Sequence, residues 1–312
     1  MKNFWKKIEK PIYALAPMAG ITDSAFRRMC KSYGADAVYS EMASINALNY
    51  APEKTLEMLK FDGSERPYVV QLFGSEPEYF KNAVKIIEKE IKPDGIDINF
   101  GCPVPKVAKQ KAGAELGKDL KQSRKVVEAV LSAASLPVSV KIRKQVGEIS
   151  ALRFLDNISD LDVSAVMIHG RTLCEMHAGP VDSEIIKEAR NYFGGIILAN
   201  GGVKDKETAD ELLEKTKADG IGIAQGALGR PWIFEDVKSN NSKTKTLEDV
   251  FEIALEHAKL AFKDKGQTGI LEMRKHLCWY VQGFPGARKL REEFVKIETM
   301  NDIEKIIKNA AF

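Results

Sequence analysis

The sequence predicts an α/β fold: a TIM-type (β/α)8 barrel followed by a small C-terminal α-helical bundle. Three observations predict it. Short apolar, β-branched runs recur along the first 225 or so residues. The stretches between them carry helical periodicity and cap signals. Strand-like runs then stop after Phe234.

The runs are 12–16, 37–40, 68–72, 95–99, 138–142, 165–169, 196–200 and 220–224. Each is short and continuous, which suits strands covered on both faces of a parallel sheet. Between them, Ser75 and Glu78 form a capping-box pattern ahead of Tyr79, Ala83, Val84 and Ile87. Segment 118–134 carries Val126, Val127, Val130 and Leu131 at helical spacing. Asp205 is placed to cap a helix containing Ala209, Leu212 and Leu213, and Gly34 to end one starting near Thr22 or Asp23. Segment 41–61 is less regular and reads as including loops. An open doubly wound sheet has similar content, and periodicity does not separate it from a barrel.

Beyond Phe234, segment 240–245 is polar and reads as a linker. Thr246 with Asp249 opens a helix that Gly266 ends, and further helices are expected over 270–281, 287–297 and 301–310. The expected division is a barrel domain over 1–239 and a helical domain over 246–312.

Composition sets bounds on function. With 44% hydrophobic and 29% charged residues the 312-residue chain has ample material for a core. Its net charge of +3 does not announce nucleic-acid binding, so an RNA partner requires clustered cations. Cys30, Cys102, Cys174 and Cys278 lack metal-ligand spacing, which predicts no metal site and fits a reducing cytosol. Pro11 and Pro17 interrupt the apolar stretch behind Lys2, Lys6 and Lys7, and no run approaches the roughly 20 apolar residues of a membrane span. The expectation is a soluble, cytoplasmic chain, with monomer as the default.

In a barrel, function gathers where strands end. Pro17-Met18-Ala19-Gly20 follow the first run and Ser40-Glu41 end the second; Gln71 ends the third. Asn99 then Gly101-Cys102-Pro103 end the fourth, and the fifth carries Lys141 and Arg143. His169-Gly170-Arg171, Asn200-Gly201-Gly202 and Ala224-Gln225-Gly226 end the last three. Polar or glycine residues thus follow nearly every run on one side, as a shared rim site requires. Gly201, Gly202 and Gly226 suit a phosphate cup of backbone amides, or equally tight turns. Gly220, Gly222 and Gly226 miss the dinucleotide fingerprint by one residue and come too late in the chain for it. Lys141, inside an apolar strand, needs an ion-pair partner or a bound anion. Cys102, in a Gly/Pro turn at the rim, suits an acid or nucleophile, and a dyad with His169 stays open. Cys30, on a helix, reads as packing.

The segments Ala16 to Asp23, Asn99-Phe100-Gly101-Cys102-Pro103, His169-Gly170-Arg171-Thr172 and Gly229-Arg230-Pro231-Trp232-Ile233-Phe234 resemble the tRNA-dihydrouridine synthase family. The likeness continues weakly through Met273-Arg274-Lys275-His276 and Gly286-Ala287-Arg288. It implies an FMN-dependent oxidoreductase that reduces uridine in tRNA, with NADPH as reductant. It implies FMN contacts from Pro17, Met18, Ala19, Gln71, Lys141, His169, Asn200, Gly201 and Gly202; the strand-end reading adds Ala224, Gln225 and Gly226 as further amides of the phosphate cup. It further implies Cys102 as proton donor and Asn99 as a uracil contact. Members commonly carry Gly-Arg-Gly or similar where this chain has Ala224-Gln225-Gly226. They often show Tyr and Trp where it has His177 and Ser183.

An RNA substrate calls for a basic surface. Between Arg274 and Arg291 lie five Lys/Arg residues and no Asp or Glu, with Trp279, Tyr280 and Phe284 interleaved. Lys106, Lys109 and Lys111 follow Cys102. Arg171, Lys106, Arg274, Arg288 and Arg291 are the candidate RNA contacts, whereas Trp279 and Tyr280 read as core. Other readings are the same reduction on ribosomal RNA, a small-molecule FMN oxidoreductase of dihydroorotate dehydrogenase type, and an RNA binder without catalysis.

Overall fold

The computed structural model describes residues 3–176, 178–239 and 244–310. Nine strands form one sheet: β1 Ile12–Leu15, β2 Ala37–Ser44, β3 Tyr68–Phe73, β4 Gly95–Asn99, β5 Val138–Val146, β6 Ile149–Ser150, β7 Ala165–Thr172, β8 Ile196–Asn200 and β9 Gly220–Ile223. All but β6 pair in parallel, and pairing of β4 with β5 closes the eight parallel strands into a barrel. The two-residue β6 is a hairpin return on β5, too short to register as an apolar run.

Alternation along each strand builds two cores. Tyr13, Leu15, Val38, Val70, Ile96 and Ile98 point outward to the surrounding helices. Ile12, Ala14, Ala37, Tyr39, Val69, Ala165, Met167 and Leu198 point inward, with Trp5 joining them from the N-terminal 3-10 turn. On these inward faces the apolar layer gives way to polar residues toward the C-terminal strand ends. The barrel is therefore a packed plug below and a polar mouth above.

Several element boundaries differ from the sequence expectation. β2, β5 and β7 run three or four residues past their apolar cores, because ladder hydrogen bonds continue after the side chains turn polar. Segment 41–61 is more regular than expected and holds the helices Ile45–Tyr50 and Glu53–Leu59. The helix expected behind a Ser75 cap instead starts at Pro77, with Glu76 at the cap position and no side-chain cap bond. Pro77 has its φ preset for a first helical residue and no N–H to satisfy. The Asp205 cap is present, as is the helix end at Gly34, reached from an Asp23 cap through Ser24–Ser32.

Among its described residues the C-terminal region holds four helices joined by turns and no strand: Leu247–Lys265, Gln267–Tyr280, Ala287–Phe294 and Met300–Ala310. A reciprocal Thr246/Asp249 capping box opens the first, and Gly266, at φ 57°, ends it. Of the expected 240–245 linker, 240–243 lie outside the described residues, as does His177. These helices share a core with the barrel: Ala25 and Met29 of Ser24–Ser32 pack with Val250, Phe251, Ala254 and Ala258. Asp23 and Lys265 pair across the same seam at 2.8 Å. No helix among the described residues is long and apolar enough to cross a membrane. No cluster of three or more His, Cys, Asp or Glu suited to a metal ion occurs among them either.

One fully buried ion pair anchors the first βα unit. Arg27 meets Glu65 at 2.5 Å with both side chains 0% exposed. The guanidinium also donates to the carbonyls of Thr22 at 2.6 Å and Lys60 at 3.1 Å, and lies over the Tyr68 ring. Glu65 accepts further bonds from Ser24 Oγ and the Asp62 N–H. Glu65→Ala leaves Arg27 buried without a counter-charge, so a loss of about 3–5 kcal/mol is expected in urea unfolding. A loss below about 1 kcal/mol would show that water reaches the pair.

At the seam, His257 donates to or accepts from Tyr280 Oη at 3.2 Å and packs edge-on against His276. Burial pushes His257 down to about 4, Asp23 opposing that shift and the cations Arg28, Lys275 and Lys265 adding to it. Burial also pushes His276 well down. A lowered histidine pKa means that the unfolded state binds the proton first. The stability held above pH 6.5 is then lost as pH falls toward 4. Thermal melts of the wild type should decline across that window, and His257→Phe should decline less; parallel curves would remove His257 as a cause.

Candidate active site at the barrel mouth

The inward-facing polar residues stand in register. Gln71 on β3 is level with Asp97 on β4, Asn99 with Lys141 on β5, and His169 on β7 with Asn200 on β8. Strand pairing alone thus gathers Gln71, Asn99, Lys141, His169 and Asn200 on one mouth, as the strand-end reading expected. Pro17, Met18 and Ala19 follow β1 there, and Ala224, Gln225 and Gly226 follow β9.

The cup after β8 is shaped by glycine. Gly201 has φ 119° and Gly202 φ 76°. A Cβ on Gly201 would meet His169 Cδ2 at 2.9 Å, so a side chain there would collide with the imidazole. Asn200 is fixed by donating Nδ2 to the Gly222 carbonyl at 2.6 Å. Arg171 reaches the same cup. One of its Nη atoms lies 3.5 Å from His169 Nε2, and its Nε donates to the Gly179 carbonyl at 2.9 Å. The cup therefore has backbone amides, a histidine and one arginine around it, while Gln225 is exposed at its rim.

Lys141 has no carboxylate within ion-pair distance among the described residues. Crowding pushes its ammonium down to about 8, burial being the main cause and Arg143 the second, with Asp97 and Cys102 acting the other way.

A continuous hydrogen-bond chain runs under the Cys102 loop. The N–H groups of Gly101 and Cys102 donate to Asn99 Oδ1 at 3.0 and 2.9 Å. Asn99 Nδ2 donates to Gln71 Oε1 at 2.9 Å, and Gln71 Nε2 to Asp97 Oδ2 at 2.7 Å. Ser139 Oγ donates to Asp97 Oδ1 at 2.6 Å. Arg143 clamps the loop from above, donating to the Gly101, Thr172 and Met176 carbonyls. The Cys102 thiol is half-buried. Burial pushes its pKa up, although the Val104 N–H, Arg143 and Lys141 favour the thiolate. It is therefore a protonated thiol at neutral pH. Among the cysteines, Cys30 is buried as expected and Cys174 is exposed.

Sequence reasoning missed Asp97, Ser139 and the clamp role of Arg143. The available signal was alternation: in the run 95–99, Asp97 and Asn99 share the inward face, and a carboxylate inside a buried strand demands partners. It also passed over Glu41 as a contact, which accepts the Gly20 N–H behind β1, while Lys275 from the helical region donates to the Gly20 carbonyl.

The candidate RNA contacts differ in exposure and in their partners. Lys106 is exposed on the short helix Pro105–Ala108 beside the Cys102 loop. Arg288, 90% exposed, pairs with Glu292 on its own helix, and Arg291 is exposed on the same helix. Arg274 commits its guanidinium to the Ile297 carbonyl at 2.7 and 2.9 Å. Tyr280 is core, whereas Trp279 and Phe284 are half-buried.

Comparison with known proteins matches the family described as dihydrouridine synthase (Dus) over residues 14–312. A probable tRNA-dihydrouridine synthase of Aquifex aeolicus is 33% identical over 302 residues, covering 95% of this chain and 95% of that protein. The tRNA-dihydrouridine synthase B of Pseudomonas aeruginosa is 32% identical over 292 residues, covering 91% of this chain and 88% of its own. Among solved structures, histamine dehydrogenase from Rhizobium sp. 4-9 superposes with a TM-score of 0.56 at 13% identity over 81% of this chain. The chain spans 48% of that enzyme's length, and the likeness is one of fold. With a match over nearly its whole length and relatives at this identity, the chain belongs to the dihydrouridine synthase family.

Proposed function

We propose that this chain reduces specific uridines in tRNA to 5,6-dihydrouridine, with FMN as cofactor and NADPH as its reductant. The observation that supports this most is the common rim: a protonated thiol, a lysine without a carboxylate partner and a glycine cup all open on one barrel mouth.

The residues present suit FMN. Gly201 and Gly202 leave the space that a side chain would fill, next to His169 and Arg171, which suits a phosphate. Lys141 suits the electron-rich edge of a ring system, and Pro17, Met18 and Ala19 supply backbone at the same mouth. Gln71, Asn200 and the segment Ala224 to Gly226 complete the set that would hold the group. When bound, FMN supplies the hydride that adds to C6 of uracil, a carbon made electrophilic by conjugation with the C4 carbonyl. Cys102 then gives its proton to C5 from the opposite face, and its raised pKa suits a general acid rather than a nucleophile. Asn99 holds the uracil beside that thiol. A stacked base does not reach the mouth, so the target uridine is flipped out of its helix.

The helical region from 246 onward serves, on this reading, as an RNA-binding domain beside the catalytic barrel of 1–239. Arg288 and Arg291, with Lys106 at the rim, face backbone phosphates.

Purified protein is expected to absorb as a flavoprotein, and its NADPH-reduced form to be reoxidised anaerobically by unmodified tRNA. Cys102→Ala should keep the flavin and lose turnover by about 10²–10⁴-fold; unchanged steady reduction of RNA would remove the proton-donor role. Arg288→Glu with Arg291→Glu should weaken tRNA binding roughly tenfold at low salt and flatten its salt dependence. Unaltered affinity at low salt would take that helix out of the interface.

A further inference from the structure

We propose that Asp97 is a positioning residue that fixes the amide orientations of Gln71 and Asn99, and through them the backbone of the Cys102 loop. The inference rests on the reading of Gln71, Asn99 and Cys102 given above.

The argument is one of direction. A carboxamide has a donor end and an acceptor end of nearly equal size, so packing alone does not choose between its two orientations. Here the choice is made at the floor. Asp97 is fully buried and sits in the inward layer beneath Asn99. As a carboxylate it only accepts, so Gln71 must turn its Nε2 toward Oδ2, which leaves Gln71 Oε1 facing Asn99. Asn99 must then present Nδ2 to Gln71, which leaves its Oδ1 for the Gly101 and Cys102 N–H groups. Reversing any one amide places donor against donor or acceptor against acceptor at the next junction. Two side-chain amides on neighbouring strands and two backbone N–H groups of the following loop are thereby set by one charge.

Burial pushes the Asp97 carboxyl up to about 6, with Ser139, Gln71 and Lys141 each drawing it back down. It is thus mainly ionised at neutral pH despite its position. Tyr39 on β2 and Lys141 on β5 are the other titratable groups felt at this point. Apolar residues fill the same inward layer elsewhere in the barrel, so a carboxylate here needs a reason, and direction supplies it.

The test compares Asp97→Asn with Asp97→Leu. The asparagine can keep Oδ1 toward Gln71 by donating Nδ2 to Ser139 Oγ, whose own hydroxyl then turns to the Ile96 carbonyl, already 3.5 Å away. The leucine is of similar size and offers no acceptor. Three quantities are read: kcat and KM for tRNA reduction, the visible flavin spectrum, and the alkylation rate of Cys102 by iodoacetamide, followed on its peptide by mass spectrometry. Asp97→Leu is expected to lower kcat by about tenfold or more with KM little changed, to shift the flavin spectrum and to alter Cys102 alkylation. Asp97→Asn is expected to restore all three to near wild-type values, within about threefold. Wild-type values in Asp97→Leu overturn the inference, and so does an Asp97→Asn loss as deep as that of the leucine. If Asp97→Leu fails to fold, Asp97→Asn combined with Ser139→Ala replaces it. Without the Ser139 acceptor nothing fixes which way the new amide points, so the double variant should fall below the product of the single effects; a multiplicative result overturns the inference. Should wild-type protein neither bind flavin nor reduce tRNA, the proposed function fails, and the alkylation rates of the same variants still decide the role of Asp97.

Discussion

The register closure between β4 and β5 is the constraint on which the rest of this structure depends. Once Ile96 pairs with Val138 and Asn99 with Lys141, the pleat assigns every strand residue to one of two sides. With β4 held in register by β3, a slip of one residue at this junction would turn Ser139 and Lys141 into the helix layer and drive Val138 and Val140 into the barrel. The apolar outward set, packed under Phe80, Val84, Ile87, Val126 and Val130, prevents that slip. The polar mouth is therefore held in place by the hydrophobic layer on the opposite face of the same strands.

Within the mouth, burial acts on each group in the direction that disfavours its charge. Asp97 and Cys102 move up while Lys141 moves down. The three differ in how they are compensated. Asp97 accepts two short hydrogen bonds from the strands on either side, Cys102 stays neutral, and Lys141 has no carboxylate partner among the described residues. A site whose floor is satisfied and whose upper rim is not is poised for a ligand that carries negative charge.

The helical region is not an appendage on a flexible tether at this seam. Its first two helices share an apolar core with Ser24–Ser32, and Lys265 and Lys275 reach across to Asp23 and to the Gly20 carbonyl. Because Gly20 belongs to the loop behind β1, any partner seated on these helices is coupled in position to the barrel mouth. Gly229 reinforces the coupling from the other side. At φ 65°, it abuts the Trp279 carbonyl carbon so closely that a Cβ would come within 2.3 Å.

Much of this was legible from the chain alone. Eight apolar runs gave the barrel strands, because buried parallel strands need little beyond continuous apolar β-branched sequence. Cap residues such as Asp205, Thr246 with Asp249, and Gly266 marked helix ends, because their interactions lie within four residues of themselves. The residues ending each strand were readable as a rim once the barrel was assumed. Tertiary structure decided the rest, wherever the partner is distant in sequence. The Arg27–Glu65 pair, the Arg143 clamp across two loops, and the placing of Arg274 against Ile297 rather than toward solvent all join residues more than twenty apart. The Asp97 chain shows the limit most plainly. Its members were visible as polar residues in apolar runs, but the direction of each hydrogen bond exists only when three strands lie side by side, since an amide acquires an orientation only from what stands next to it.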